Sequence, residues 1–479
     1  MTSGAPTTNR ALTVAALLAS MFMAAMEATV VATAMPTVIS ELGGLALYGW
    51  VGAAYLLAST VTVPFYGKLA DRHGRKPILS MGVIVFLIGS VASGASTSIE
   101  QLIVFRAVQG LGAGAMQPIV LTVIGDLYTP AERGRVQGFF GAVWGIAGVA
   151  GPLLGGAIVS MTTWRWVFWI NVPLGLLALV VLGVAFREAP RPKARTRLDL
   201  AGAGTVILAA LSILLAASGV LPLVTGPAGA VLLVVFVWIE SHAEDPVLPI
   251  ALIRRRLITV AGVVSLLLGA AMMAVLTFLP LHVQGVLSGA PTDAGLVIAP
   301  MLVGWPVASA ITSRMIVRIG YRAPIRIGVF VSTVGFVSLA LTATLLAPAW
   351  ALGLSMLVFG AGMGLSNTAL IISVQASVGY EQRGVVTAFT QFARTMGGAL
   401  GVGALGAVLA AQLGRRLPPE TVRALLDPHA AGVVSAPGVA EALGGALAPL
   451  FWAGAAATVF ALIAVIAQPA DESPAAATA

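Results

Sequence analysis

Apolar stretches of about twenty residues recur along this whole chain, and that is the length a helix needs to cross a bilayer. They predict helices over 11–36, 46–66, 77–97, 100–123, 136–160, 166–186, 199–218, 222–240, 257–284, 292–313, 325–346, 349–374, 384–410 and 442–467, fourteen in all. Only 9% of the 479 residues are charged, against about 25% in soluble domains. The fold class is therefore an all-α polytopic membrane protein. The first apolar run, from Ala11, is too long for a signal-peptide core and has no convincing cleavage site, so it reads as the first membrane helix. The chain has no cysteine, which removes disulfide, thiol and zinc-thiolate chemistry.

An even number of spans puts both termini on one side. Loops on that side carry 20 of the 26 Lys and Arg, among them Lys68, Arg72, Arg75 and Lys76, the run from Arg187 to Arg197, Arg254 to Arg256, and Arg383. The opposite side carries four, Arg165, Arg415, Arg416 and Arg423. The positive-inside rule makes both termini cytoplasmic. It also absorbs most of the net charge of +8, so the basic balance requires no nucleic-acid partner.

Against this background Glu27 stands out. It lies in a run from Ala11 to Met35 with no other ionisable group. A charge at the centre of a spanning helix costs about 2.5–3.5 kcal/mol on insertion scales, and folding does not require it. Such an acid points to binding of a cation, a proton or both. The other seventeen acids fall in loops, at helix ends or in the tail, leaving Glu27 as the carboxylate expected at depth. Asp293, near the outer end of the tenth helix, is the second coupling candidate. Arg106 and Arg394 are the basic residues inside helices. Arg106 either faces the bundle interior or snorkels to the outer surface.

The chain also carries an imperfect internal repeat. Ile103-Val-Phe-Arg-Ala-Val-Gln-Gly-Leu-Gly112 is similar to Leu357-Val-Phe-Gly-Ala-Gly-Met-Gly-Leu-Ser366, and Glu132-Arg-Gly134 echoes Gln382-Arg-Gly384, both offset by about 250 residues. Two six-helix halves around two extra helices give that spacing: an N-terminal bundle over 1–187, a two-helix insertion with its linkers over 188–256, and a C-terminal bundle over 257–479. Repeats of this kind mark secondary transporters, whose substrate site lies between the halves.

Four motifs carry a resemblance that spans nearly the whole chain. The loop Gly67-Lys-Leu-Ala-Asp71-Arg72-His-Gly74-Arg75-Lys76 resembles the signature loop of the major facilitator superfamily. Its glycines permit a tight intracellular turn. Gly145, Gly148, Gly151-Pro152, Gly155 and Gly156 resemble the motif of drug-exporting members. Trp164-Arg165-Trp166-Val-Phe-Trp-Ile-Asn171-Val-Pro173 and Glu27-Ala-Thr-Val-Val-Ala-Thr-Ala-Met-Pro36 are similar to helix-6 and helix-1 segments of the fourteen-helix drug:proton antiporters. Those usually have Asp where this chain has Glu27.

The resemblance implies a major facilitator fold, two six-helix bundles related by a pseudo-two-fold axis plus two central helices. It implies a loop that latches the outward-open state, its acid and arginine paired with an acid at the end of helix 4, the place of Asp126. It implies that Arg106 assists proton transfer, and that the chain exports rather than imports. The expected activity is proton-coupled antiport of lipophilic, often cationic drugs at a bacterial cytoplasmic membrane. The expected partners are those substrates, protons and membrane lipid, and the expected working state is a monomer. A proton gradient, with no cofactor or metal, would drive it.

Candidates for a cavity lining are Tyr55, Trp144, His282, Trp305, Asn367, Phe389, Gln391 and Arg394. Packing aromatics, a hydrated histidine and an arginine bonded to helix-end carbonyls are the plainer readings of the same residues. The long polar stretch at about 411–441 is either a connector or an outer extension guiding an apolar substrate, which gives the alternative function of lipid or lipophilic-metabolite export. No Walker-type Gly-x4-Gly-Lys-Ser/Thr loop is present, so direct drive by ATP is not expected. No histidine/acid cluster indicates an enzyme.

Overall fold

In a computed structural model, residues 8–43, 47–188, 199–217, 219–418 and 438–467 are described. Among them there is no strand. The helices are α1 (Arg10–Leu42), α2 (Tyr48–His73), α3 (Arg75–Gly94), α4 (Ile99–Leu127), α5 (Pro130–Met161), α6 (Trp166–Trp169), α7 (Asn171–Ala185), α8 (Leu200–Ala217) and α9 (Pro222–His242). They continue with α10 (Ile250–Ile253), α11 (Arg256–Gly285), α12 (Pro291–Ile319), α13 (Arg322–Thr344), α14 (Ala349–Ala376), α15 (Arg383–Gly414) and α16 (Val439–Ile466).

Twelve of the described spans are long and apolar enough to cross a membrane, or thirteen if bent α5 counts as one span. Fourteen were expected from the sequence. α2, with Lys68, Asp71 and Arg72 in its last turns, is not among the twelve. The sixth expected helix is α6 and α7 together, joined through Ile170, whose backbone is helical, and Trp166–Ala185 forms one span.

Most helices run past the apolar stretches that announce them. α1 reaches Leu42 rather than residue 36, α2 reaches His73 rather than 66, and α5 starts at Pro130 rather than 136. The extensions are polar turns fixed by caps, which an apolar count does not see. Asn9 accepts from Leu12 N at 3.2 Å and opens α1. At α5 Glu132 accepts from both Thr129 N and Thr129 Oγ1, each at 2.9 Å. At the far end of α1, Glu41 accepts from Trp164 Nε1 (2.7 Å) and Arg165 Nη1 (2.6 Å), which gives the Trp164-Arg165-Trp166 motif a structural task.

The chain forms two compact units. The first comprises Met1–Leu211, Leu232–Arg254 and Ile371–Phe392; the second comprises Ser212–Val231, Arg255–Leu370 and Ala393–Ala479. Lipid offers no hydrophobic drive for helix association, so close packing through small residues does the work. In the first unit α3 and α4 touch along Gly82, Gly89 and Gly112. A Cβ on Gly112 would lie 2.5 Å from Gly82 O and 2.7 Å from Phe86 Cα. Phe86, Leu79, Met116 and Leu17 fill the core beside this contact. In the second unit α16 packs against α11 and α13, and Phe336 and Phe359 meet edge to face at 5.2 Å.

Candidate functional site

Glu27 is the eighteenth residue of α1, about 25 Å along the helix from Arg10 at 1.5 Å per residue. Its side chain is only 1% exposed. Arg106, eight residues into α4, is equally buried and forms an ion pair with Glu27 Oε1. The arginine faces inward and does not snorkel. Its Nη1 also donates to Gln109 Oε1 at 2.7 Å, its Nε donates to Val51 O at 3.3 Å, and its guanidinium lies 4.4 Å from the Tyr55 ring centroid.

The other carboxylate oxygen, Oε2, accepts from Asn171 Nδ2 at 2.7 Å. Asn171 Nδ2 also donates to Ser90 Oγ at 3.1 Å, and Ser90 accepts from Gln109 Nε2 at 3.1 Å. Glu27, Arg106, Gln109, Ser90 and Asn171 thus close a ring of buried polar side chains drawn from α1, α4, α3 and α7. Ser90 donates onward to Phe168 O at 2.7 Å. The sequence reading found Glu27, Arg106 and Tyr55 but gave no role to Ser90, Gln109 or Asn171. The available signal was the one that found Glu27: a polar side chain inside an apolar run, here an amide or hydroxyl rather than a charge.

A second constellation lies at the ends of α2 and α4. Arg75, fully buried, pairs with Asp71 (2.8 Å) and Asp126 (3.0 Å), donates to Tyr380 O (2.7 Å), and stacks on the Tyr380 ring at 4.5 Å. Asp71 accepts from Gly384 N (2.9 Å) and Val385 N (2.8 Å), and Asp126 pairs with Arg383 (3.2 Å). The expected pairing of the loop acid with Asp126 through an arginine is therefore made by Arg75. Arg72 points elsewhere and pairs with Asp245 at 2.9 Å, which Lys68 also binds. Gly67 is required by close approach: a Cβ there would sit 2.8 Å from Gly384 O. Gly74 has φ +104°, a conformation that disfavours a side chain, and it turns α2 into α3. Glu188 accepts from Arg75 N (2.9 Å) and Lys76 N (3.1 Å) at the start of α3.

The α5 glycines divide. Gly151 and Gly155 press against Thr29 and Thr33 of α1, where Thr29 donates to Ala147 O at 3.1 Å. The bend of α5, 41°, falls between Gly148 and Leu153, the stretch that holds Pro152. Gly148 is exposed and Gly156 has no neighbour within 4 Å of a built Cβ, so neither makes the close contact expected of the motif.

The remaining candidates are placed as follows. Asp293 sits in the first turn of α12 and accepts from Ala290 N at 2.7 Å, a capping contact. His282 of α11 is buried edge-on against Phe451 at 5.6 Å. Trp144 is 38% exposed. Trp305, Asn367, Phe389 and Arg394 are half-buried and Gln391 is buried; α11 packs Gly269 against the Arg394 backbone. Glu240, expected at a helix end, is there but is also buried, and it accepts from Val247 N and Leu248 N, each at 3.1 Å. Burial of an acid is thus not peculiar to Glu27; among the described residues, depth within a span is. Most of the 411–441 stretch lies outside the described residues.

The profile described as Major Facilitator Superfamily matches residues 17–402. The chain belongs to this superfamily. Within it, the Multidrug transporter protein MdtP of Bacillus subtilis (strain 168) is 35% identical over 433 residues, 86% of this chain and 78% of that protein. Multidrug resistance protein 3 of the same organism is 33% identical over 401 residues, 82% of this chain and 78% of that protein. The crystal structure of the human organic anion transporter MFSD10 (TETRAN) superposes with a TM-score of 0.65 at 15% identity, covering 96% of this chain and all of that one. At that identity the match shows the fold. This member of the superfamily is a multi-pass membrane protein whose relatives include multidrug transporters.

Proposed function

We propose that this protein exports lipophilic, often cationic compounds in exchange for protons, by alternating access. The buried Glu27–Arg106 pair carries the reading. An acid at mid-helix that holds its own internal cation can be neutralised by one proton without opening to solvent on both sides. Protonation removes the counter-charge of Arg106 and so changes the forces between α1 and α4. That is the differential interaction a coupled transporter needs between its states. Arg106 already occupies the carboxylate, so Glu27 acts as the proton carrier and a cationic substrate binds elsewhere or displaces the guanidinium. The latch around Arg75 serves as the gate on the side of the termini, which we place in the cytoplasm from the distribution of basic residues. The multidrug names of the relatives at 35% and 33% identity support the substrate class.

The test is drug/proton exchange in proteoliposomes. Glu27→Gln keeps the shape and removes the titration, so exchange driven by a pH gradient is expected to fall at least a hundredfold. Exchange at the wild-type rate in that variant refutes the proposal.

A further inference from the structure

The partners of the Glu27 carboxylate, Arg106, Asn171 and Gln109, are all donors, so the ring around it is built for the ionised acid. The donor count is complete in that state. Asn171 Nδ2 has two hydrogens and gives one to Glu27 and one to Ser90. Ser90 Oγ accepts from Gln109 and Asn171, and its own hydrogen goes to Phe168 O. Phe168 belongs to α6, and its carbonyl also accepts from Ile170 N at the joint with α7. A new proton on Oε2 meets an N–H and has no acceptor.

We propose that Asn171 and Ser90 relay the protonation of Glu27 to the contact between α3 and α6. The proposal rests on the reading of Glu27 as proton carrier. A proton arrives from water and the carboxylate becomes a neutral acid; no other bond to hydrogen breaks. The Asn171 amide then turns so that Oδ1 accepts from the new Glu27 hydroxyl. Oδ1 now also faces Ser90 Oγ, whose hydrogen rotates from Phe168 O to Asn171. Phe168 O keeps the Ile170 N–H but loses Ser90, so the hydrogen bond that ties α3 to α6 is released. Arg106 keeps Gln109 Oε1 and Val51 O throughout.

The charged and titratable groups that face Glu27 are few. α4 presents Arg106 and α2 presents Tyr55. α6 and α7 contain no ionisable residue, those of α3 are Arg75 and Lys76 in its first turn, and those of α5 are Glu132, Arg133 and Arg135 near its start. The relay therefore runs through uncharged side chains.

The decisive measurement is a pH-difference infrared spectrum of the purified full chain, which needs no substrate. The protonated-carboxyl band of Glu27 is identified by its loss in Glu27→Gln, and the Asn171 amide carbonyl band by its loss in Asn171→Leu, a change that keeps side-chain size. The two bands are expected to titrate together, and the amide band to be silent in Glu27→Gln. A Glu27 band that titrates with no change in the Asn171 amide overturns the relay and leaves the proton-carrier reading standing; absence of any Glu27 band overturns both. Ser90→Ala removes one oxygen and provides the second test, with ethidium as the probe in proteoliposomes. It is expected to lower pH-driven accumulation at least tenfold. Accumulation within twofold of wild type counts against the relay.

Discussion

Replacing Arg75 by alanine tests the latch. The side chain is fully buried and joins two carboxylates that are themselves only 5% and 8% exposed. Removing one partner of a buried ion pair costs about 3–5 kcal/mol, because the charge left behind loses its compensation. Here the low end applies. Asp71 retains Gly384 N and Val385 N, and Asp126 retains Arg383. At about 1.4 kcal/mol per factor of ten, a 3 kcal/mol loss raises the population of the open latch about a hundredfold. The Gly384 and Val385 amides report this directly, since both donate to Asp71. Hydrogen exchange of a peptide spanning them is expected to accelerate about a hundredfold in Arg75→Ala, and by an intermediate amount in Arg75→Lys, which keeps the charge but loses the planar fork. Asp245→Asn, at a pair whose side chains are 14–18% exposed, is the control and is expected to change that exchange less than threefold. If Arg75→Ala leaves the exchange within threefold of wild type, the latch does not depend on Arg75.

Two further outcomes are expected. Gly112→Ala places a Cβ 2.7 Å from Phe86 Cα, so α3 and α4 must part; the cost is about 1–3 kcal/mol and is read as a lowered Tm, while Gly156→Ala, with open space around it, leaves Tm unchanged. His282→Phe preserves the edge-on contact with Phe451 and is expected to keep both the exchange rate and its pH profile within twofold; loss of pH dependence would show that the histidine takes part in coupling.

The helices were legible because lipid forces each span to be long and apolar. Their ends were not, because α2 runs on through Lys68, Asp71 and Arg72, and α5 begins in the polar turn of Thr129 and Glu132, residues that an apolar count discards. Glu27 and Arg106 were legible for the same reason that they are costly: a charge in an apolar run has few explanations. Their pairing, and the amides and hydroxyl that complete the ring, depend on which residues of α1, α3, α4 and α7 meet at one depth, and spacing within a single helix does not contain that. In the 67–76 loop the motif named the participants but not which arginine pairs with Asp126. Arg72 and Arg75 are three residues apart across a helix boundary at Gly74, and only the turn decides that Arg75 enters the protein while Arg72 faces Asp245. Asp293 was read as a coupling candidate from position alone, where the structure gives its carboxylate a capping contact.

The loop after α9 ties the α8–α9 segment to the 67–76 loop. Glu240 holds Val247 and Leu248 by their amides, and Asp245, in the same loop, binds Lys68 and Arg72. The α8–α9 segment therefore cannot be spliced out without consequence. Joining the chain directly from residue 199 to 254 would discard Asp245 and return two cations of the 67–76 loop to a setting that lacks its charge. A chain shortened in this way would need a replacement acid beside Lys68 and Arg72, supplied by whatever linker closed the gap.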